Sequence, residues 1–103
     1  QDFGEVVRLY RQAAEAGVPA AMNNLGICYE RGRGIERDCG EAVRWFRRAA
    51  ERGHVAGMAY LGDAYYRGLG AAQDVVEGRR LIERAASMGS EWAKLYRFDE
   101  MGV

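Results

Sequence analysis

The chain carries little that could make or break a bond. Its single histidine, His54, follows Gly53, at a step where Val18 and Ser90 stand elsewhere in the chain. A lone imidazole just after a helix-ending glycine reads as a surface loop residue rather than a general base. Ser87 and Ser90 are the only aliphatic hydroxyls, because threonine is absent. Both stand beside an expected helix end, so no Ser/His/Asp arrangement can be assembled. Cys28 and Cys39 lack the spacing of a metal site. Their counterparts along the chain are Ala64, and Phe3 and Val75, so both occupy apolar places and read as buried thiols. They also flank one turn of a helical hairpin, so a disulfide stays open in an oxidising compartment. No catalytic residue, cofactor or metal is assigned, and the chain reads as a non-enzyme.

The arginines could in principle grip phosphates. Arg8, Arg11, Arg44, Arg47, Arg48, Arg79, Arg80 and Arg84 fall on one kind of helix. Glu15, Glu41, Glu51, Glu77 and Glu83 lie three or four residues from several of them, the spacing of paired charges on a solvated helix face. Lys+Arg and Asp+Glu are both 15, so the net charge is near zero, unlike that of a generic polyanion binder. No nucleic-acid partner is expected. Lys94 is the only lysine, an arginine bias that fits a GC-rich bacterial genome.

The elements that would hold these residues recur. Asp2, Asp38 and Asp74 are 36 residues apart, as are Gly17, Gly53 and Gly89. Ala13-Ala14, Ala49-Ala50 and Ala85-Ala86 keep the step, and so do Leu25/Leu61, Gly26/Gly62, Tyr29/Tyr65, Gly32/Gly68 and Gly34/Gly70. A fixed period of about 20–50 residues signals a stacked repeat protein. Each aspartate opens an Asp-x-x-Glu box: its carboxylate can accept a free amide of the first turn, and the glutamate can reach back. The helix that follows runs about four turns. Its core positions hold Val6, Leu9, Tyr10, Ala13 and Ala14, then Ala42, Trp45, Phe46, Ala49 and Ala50, then Gly78, Leu81, Ile82, Ala85 and Ala86. It ends at a glycine suited to the left-handed C′ position.

The other helix type begins near Pro19, which the first turn tolerates. It carries Met22, Leu25, Cys28 and Tyr29, then Met58, Leu61, Ala64 and Tyr65. Gly26 and Gly62 lie in mid-helix, where glycine costs roughly 1 kcal/mol against alanine. Their recurrence implies that another helix crosses where no side chain fits. The last segment departs: Arg97 and Phe98 stand where Leu-Gly is expected. Trp92, Leu95, Phe98 and Met101 still form an apolar helical stripe, read as an atypical terminal helix.

The expectation is one all-α domain, an α/α solenoid of about six helices in antiparallel pairs with no sheet. Residues 1–19 read as the second helix of a truncated repeat, 20–55 and 56–90 as full repeats, and 91–103 as the terminal helix. No apolar run approaches the ~18–20 residues that span a bilayer. Because Gln1 directly precedes a second-type helix, Val6, Tyr10 and Ala13 are expected to lack a covering neighbour. A weak homodimer through that N-terminal end is expected to follow.

Written out, the pattern is A-x-x-L-G-x-x-Y-x-x-G-x-G followed by D-x-x-x-A-x-x-W-[FY]-x-x-A-A-x-x-G. It resembles the Sel-1-like repeat, a relative of the tetratricopeptide repeat. The match runs through Ala21, Leu25-Gly26, Tyr29, Gly32, Gly34, Asp38, Ala42, Trp45-Phe46, Ala49-Ala50 and Gly53. It resumes at Leu61-Gly62, Tyr65, Gly68, Gly70, Asp74, Ala85-Ala86 and Gly89. Departures are Gly57, Gly78, Leu81-Ile82 and Arg97-Phe98. The resemblance implies a right-handed superhelix and an adaptor role, acting in bacterial envelopes, signalling and host interaction or in endoplasmic-reticulum quality control. It carries no shared catalytic residues.

In such a superhelix the first helix type lines the inner surface. The concave groove is then expected to show Asn23, Asn24, Ile27, Glu30 and Arg31, with Tyr60, Asp63, Tyr66 and Arg67 from the next repeat. Asparagine amides and arginine forks suit peptide backbone and carboxylates. Ile27, Tyr60 and Tyr66 would add apolar anchors. The reading is a scaffold that binds a peptide or protein in this groove. The alternative is a regulatory or targeting domain of a larger enzyme or envelope-assembly protein, in the periplasm or the cytoplasm.

Overall fold

Aspartate side chains set half of the helix starts. In the computed structural model, which describes residues 2–98, Asp2 accepts bonds from the N–H groups of Gly4 and Glu5, opening α1 (Phe3–Glu15). Asp38 accepts from Glu41 at the start of α3 (Cys39–Glu51), and Asp74 from Glu77 at the start of α5 (Val75–Ser87). The glutamates do not reach back as a reciprocal box would have them do. Glu5, Glu41 and Glu77 turn forward to Arg8, Arg44 and Arg80 one turn on. Each arginine offers a charged partner that a backbone amide cannot match.

Between these helices run α2 (Pro19–Arg31) and α4 (Val55–Arg67), and a single turn, α6 (Glu91–Lys94), follows α5. All six elements are α-helices, and no strand occurs among the described residues. Each helix packs on its chain neighbour, and α2 also meets α4 directly. The result is an elongated helical solenoid, 39 by 24 by 23 Å. Its apolar interior forms two clusters. One joins Val7 and Ala14 to Met22, Leu25, Cys28, Trp45 and Ala49. The other joins Ala42, Val43 and Phe46 to Met58, Leu61, Tyr66, Leu81, Ile82 and Ala93. Helix α3 contributes to both, so it is the wedge that links the two units.

The loops fix the distance from unit to unit. Gly34 and Gly70 lie at φ 76° and 82°, the left-handed region. A Cβ at Gly34 would stand 2.3 Å from the Phe3 carbonyl oxygen, and one at Gly70 would stand 2.1 Å from that of Cys39. Each loop therefore lies with its backbone on the first turn of the preceding second-type helix.

The mid-helix glycines mark helix crossings. A Cβ on Gly26 would fall 2.6 Å from the Phe46 ring. One on Gly62 would fall 2.7 Å from Ile82 Cγ1 and 2.9 Å from the Gly78 carbonyl. Gly78 in turn faces the backbone of Tyr66 and Gly62. Its departure from alanine thus has a cause: at this crossing backbone meets backbone.

The terminal helix is shorter than its apolar stripe suggested. It ends at Lys94; Leu95 is 75% exposed, and Tyr96 and Arg97 lie in no helix. Met101 lies outside the described residues. In register, Lys94 and Arg97 stand where Met58 and Leu61 are buried. A continued helix would drive two charges into core positions, at a cost that unpaired burial makes large.

Gly62→Ala is expected to destabilise the fold by about 1–3 kcal/mol through overpacking. Gly40→Ala, in the open first turn of α3, is expected to be neutral or stabilising by a few tenths to about 1 kcal/mol. Urea midpoints of the two variants compare them directly, and equal midpoints would refute the close crossing.

Candidate functional site

Helices α2 and α4 lie beside each other, both packed on α3. The spacing of their residues places Asn23, Ile27, Glu30 and Arg31 along one helix and Asp63, Tyr66 and Arg67 along the other. Arg31 and Arg67 are exposed; Asn24, Ile27, Glu30 and Tyr60 are half-buried.

Three of the expected groove residues are not open to a ligand. Tyr66 is completely buried, and Asn23 and Asp63 are each only 5% exposed. For Tyr66 and Asp63 the cause is the segment after α6. Its Tyr96 hydroxyl donates to Asp63 Oδ1, and the Tyr66 hydroxyl donates to the Phe98 carbonyl. The rings of Tyr96 and Phe98 meet Tyr66 edge-on, at centroid distances of 5.8 and 5.1 Å. Burial, with the bond to Asp63, pushes the Tyr96 hydroxyl pKa well up, so it stays a donor. Tyr60 is likewise engaged: its ring stacks between Phe46 at 5.2 Å and Trp92 at 5.5 Å. Asn23 has a buried Oδ1 with no protein partner.

Asn24 and Ile27 open instead toward α1. With Phe3, Val6, Tyr10, Cys28 and Arg33 they line a cleft of ≈ 380 Å³. The Arg33 guanidinium lies 5.2 Å from the Phe3 ring centroid. One unit on, Tyr60 stands in the place of Asn24 and packs on Phe46, the counterpart of Tyr10. The small Asn24 leaves that space empty. Comparing the two copies by side-chain size would have found this cleft; comparing them by apolar pattern did not.

The arginine face is mostly paired within its own helices. Arg44 meets Glu41 at 2.9 Å, Arg80 meets Glu77 at 2.7 Å, and Arg79 meets Glu83 at 3.1 Å. Two arginines differ from the expected solvated face. Arg11 donates to the Tyr29 hydroxyl at 2.8 Å, and Arg47 to that of Tyr65 at 2.7 Å. Each guanidinium also lies within 6 Å of the ring it bonds, a cation–π geometry. These residues tie each second-type helix to the next first-type helix.

Cys28 and Cys39 are free thiols. Burial pushes the Cys28 pKa up, against the pull of Arg33 and Arg31. His54 is half-buried at the N-cap of α4 without a side-chain cap bond. The Ser87 hydroxyl donates to the Arg84 carbonyl, and Ser90 Oγ accepts the Ala93 amide. Among the described residues no group of three His, Cys, Asp or Glu side chains is placed to hold a metal ion. Nor is any helix there long and apolar enough to cross a membrane.

A family model of the Sel1 repeat matches residues 7–18, 19–54 and 55–90. Among solved structures, a protective antigen present in uropathogenic Escherichia coli strains and displaying an SLR fold superposes with a TM-score of 0.87. It is 42% identical over 90% of this chain and 20% of that one. A Sel1 repeat protein from Oxalobacter formigenes gives 0.83 at 35% identity, over 89% of this chain and 38% of that one. This chain thus spans only a minor part of the length of either protein. Cysteine rich protein B of Helicobacter pylori gives 0.80 at 24% identity, over 87% and 68%, and shares the fold. No curated protein matches.

Glu30 is the electrostatically loaded residue of the α2–α4 face. Burial raises its pKa, and the charge of Asp63 adds to that, while Arg31, Arg67 and Arg37 oppose both. A raised folded-state pKa means the folded protein holds this proton more tightly than the unfolded chain does. The resulting stability is full below the ordinary value of 4.5 and is lost as pH rises through the folded-state value. Glu30→Gln is therefore expected to raise the melting temperature at neutral pH and to leave it unchanged below the ordinary carboxylate range. Thermal melts at both pH values check this; a variant less stable at neutral pH would mean that the arginines dominate.

Proposed function

The chain belongs to the Sel1 repeat family, and from that premise we propose that it is a non-catalytic module that binds a peptide or protein partner along the face shared by α2 and α4. Members of the family are generally protein–protein interaction modules. The observation that carries the reading is a contrast in charge. Arg44, Arg79 and Arg80 on the second-type helices are each paired to a glutamate one turn away. Arg31 stands exposed at the end of α2 with no such pair among the described residues, beside the half-buried Glu30 and Ile27, while Arg67 at the end of α4 is held by Asp63 at 3.3 Å. An exposed guanidinium next to an apolar side chain suits a peptide carboxylate and its neighbouring apolar residue. The reading as a non-enzyme is supported by the serines, whose hydroxyls are spent on helix ends.

Peptides selected on the immobilised chain from a random display library are expected to lose about fivefold or more in affinity on Arg31→Ala or Arg67→Ala, roughly 1 kcal/mol. Arg44→Ala, whose side chain is 73% exposed, is the control and should change little. Arg47 is unsuited to that purpose because it holds Tyr65. Calorimetry showing loss only on Arg44→Ala would move binding to the second-type helices.

The face of α1 supports a second contact, with another copy of the chain. Leu9 is 50% exposed, whereas its counterparts Trp45 and Leu81 are 7% and 6% exposed. Val6, Tyr10 and Ala13 are half-buried where Ala42, Phe46 and Ala49 are fully buried. A two-fold pairing of these faces would cover them most simply. Sedimentation at the highest soluble concentration is expected to show dimer that Leu9→Arg abolishes. A strict monomer would refute the pairing.

A further inference from the structure

The segment after α6 is seated on α4 in the manner of a bound peptide. Tyr96 and Phe98 lie beyond α6, and their hydrogen bonds fall on Asp63 and Tyr66 of α4. Tyr96 gives its hydroxyl to Asp63. Phe98 takes the Tyr66 hydroxyl on its carbonyl, and its ring lies under the Arg79 guanidinium at 4.6 Å. The two aromatic rings also touch each other, with centroids 5.1 Å apart. Asp63 and Tyr66 occupy the register of Ile27 and Glu30, which remain partly exposed one unit earlier.

The chemistry of the seat defines what fits it. Asp63 is a nearly buried carboxylate, and its partners are the Tyr96 hydroxyl and Arg67 at 3.3 Å. A buried carboxylate left without a donor is costly, so an occupant needs a hydroxyl there rather than a bare ring. Tyr66 needs an acceptor, which a backbone carbonyl two residues further on supplies. Arg79 needs a π face at that same residue. These requirements describe a tyrosine and a phenylalanine separated by one residue. A single turn of helix precedes the occupant, and Leu95 between them is 75% exposed.

We propose that Asp63, Tyr66 and Arg79 form a receptor for a Tyr-x-Phe segment, which residues 96–98 fill in cis and which a partner protein bearing the same spacing enters by displacing them. This rests on the reading of the α2–α4 face as the binding surface, and it names the chemistry of the partner and the means of control.

The test uses the full chain carrying Tyr96→Ser and Phe98→Ser, and as probe an acetylated, fluorescein-labelled peptide of residues 93–98. Fluorescence anisotropy is expected to show binding to this variant, with the unaltered chain binding about tenfold or more weakly because its seat is open only part of the time. Replacing the peptide tyrosine by phenylalanine, or adding Tyr66→Phe to the variant, should each weaken binding several-fold. A helical double variant that binds no peptide overturns the proposal, and so does equal binding by the unaltered chain. Should the double variant lose its helical signal, the single variant Tyr96→Phe carries the test. It keeps the ring, gives up the bond to Asp63, and is expected to bind the peptide more tightly than the unaltered chain. Equal affinities there also overturn the proposal. Arg31→Ala separates the two readings. Loss of peptide binding on Arg31→Ala with none on Tyr66→Phe sinks this receptor and leaves the broader groove reading standing. The reverse pattern supports the receptor even where library-selected peptides ignore Arg31.

Discussion

The fold depends on two helix crossings at which no side chain can intervene. At Gly26 the space of a methyl group is taken by the Phe46 ring. At Gly62 it is taken by Ile82 and the Gly78 carbonyl. Each crossing sets how near a first-type helix lies to the second-type helix after it. That nearness makes Phe46 and Ile82 fully buried and lets Met58, Leu61 and Ala85 close around them. A glycine in mid-helix weakens the isolated helix, so local propensity is given up for a tertiary contact. The 36-residue step of the chain is the record of that exchange made twice. The loops obey the same rule, since Gly34 and Gly70 let backbone lie on backbone at Phe3 and Cys39.

The third copy cannot make the exchange, and the covering of α4 follows from that failure. Phe98 stands in the register of Gly62, Arg97 in that of Leu61, and Lys94 in that of Met58. Two charges and a ring are incompatible with a buried crossing, so the helix stops after one turn. The aromatic residues of the segment still have apolar surface to hide. The nearest unpaired surface is the groove side of α4. One departure from the repeat thus explains a short helix, a buried Tyr66 and a neutral tyrosine bonded to a buried aspartate.

The stretch from Asp2 to Ser90 was legible because each of its signals is local or periodic. Aspartate caps, helix-ending glycines and paired alanines state their role without knowledge of distant residues, and the structure follows them. What escaped depends on residues far apart in the chain. The burial of Tyr66 is due to Phe98, 32 residues on. The tie of Arg47 is to Tyr65, 18 residues on, and charge patterning alone placed that arginine on a solvated face. Even here a trace was present: Arg11 and Arg47 keep the repeat, and so do Tyr29 and Tyr65. A recurring arginine paired with a recurring tyrosine marks structure, whereas Arg31 and Arg67 recur with no such tie to a tyrosine of a neighbouring helix among the described residues. Of the expected groove residues, Asn24, Ile27, Glu30, Arg31, Tyr60 and Arg67 keep some exposure, while Asn23, Asp63 and Tyr66 are buried.

Much of the recurrence in this chain serves stability. The glycines at crossings, the alanine pairs and the Arg–Tyr ties all repeat, and all join one helix to the next. Since α3 enters both apolar clusters, loosening one joint is felt across both. Residues that do not repeat differ in chemistry from unit to unit. Asn24 against Tyr60 opens a cleft in one unit and fills it in the next. Ile27 against Asp63, and Glu30 against Tyr66, change an apolar and acidic surface into one that takes a hydroxyl and a carbonyl. In a repeat array each unit contacts only its neighbours, so such substitutions alter the surface of one unit without disturbing the frame. The units thus differ in the chemistry of this face, and the third copy, which differs most, supplies the segment that packs on Asp63 and Tyr66.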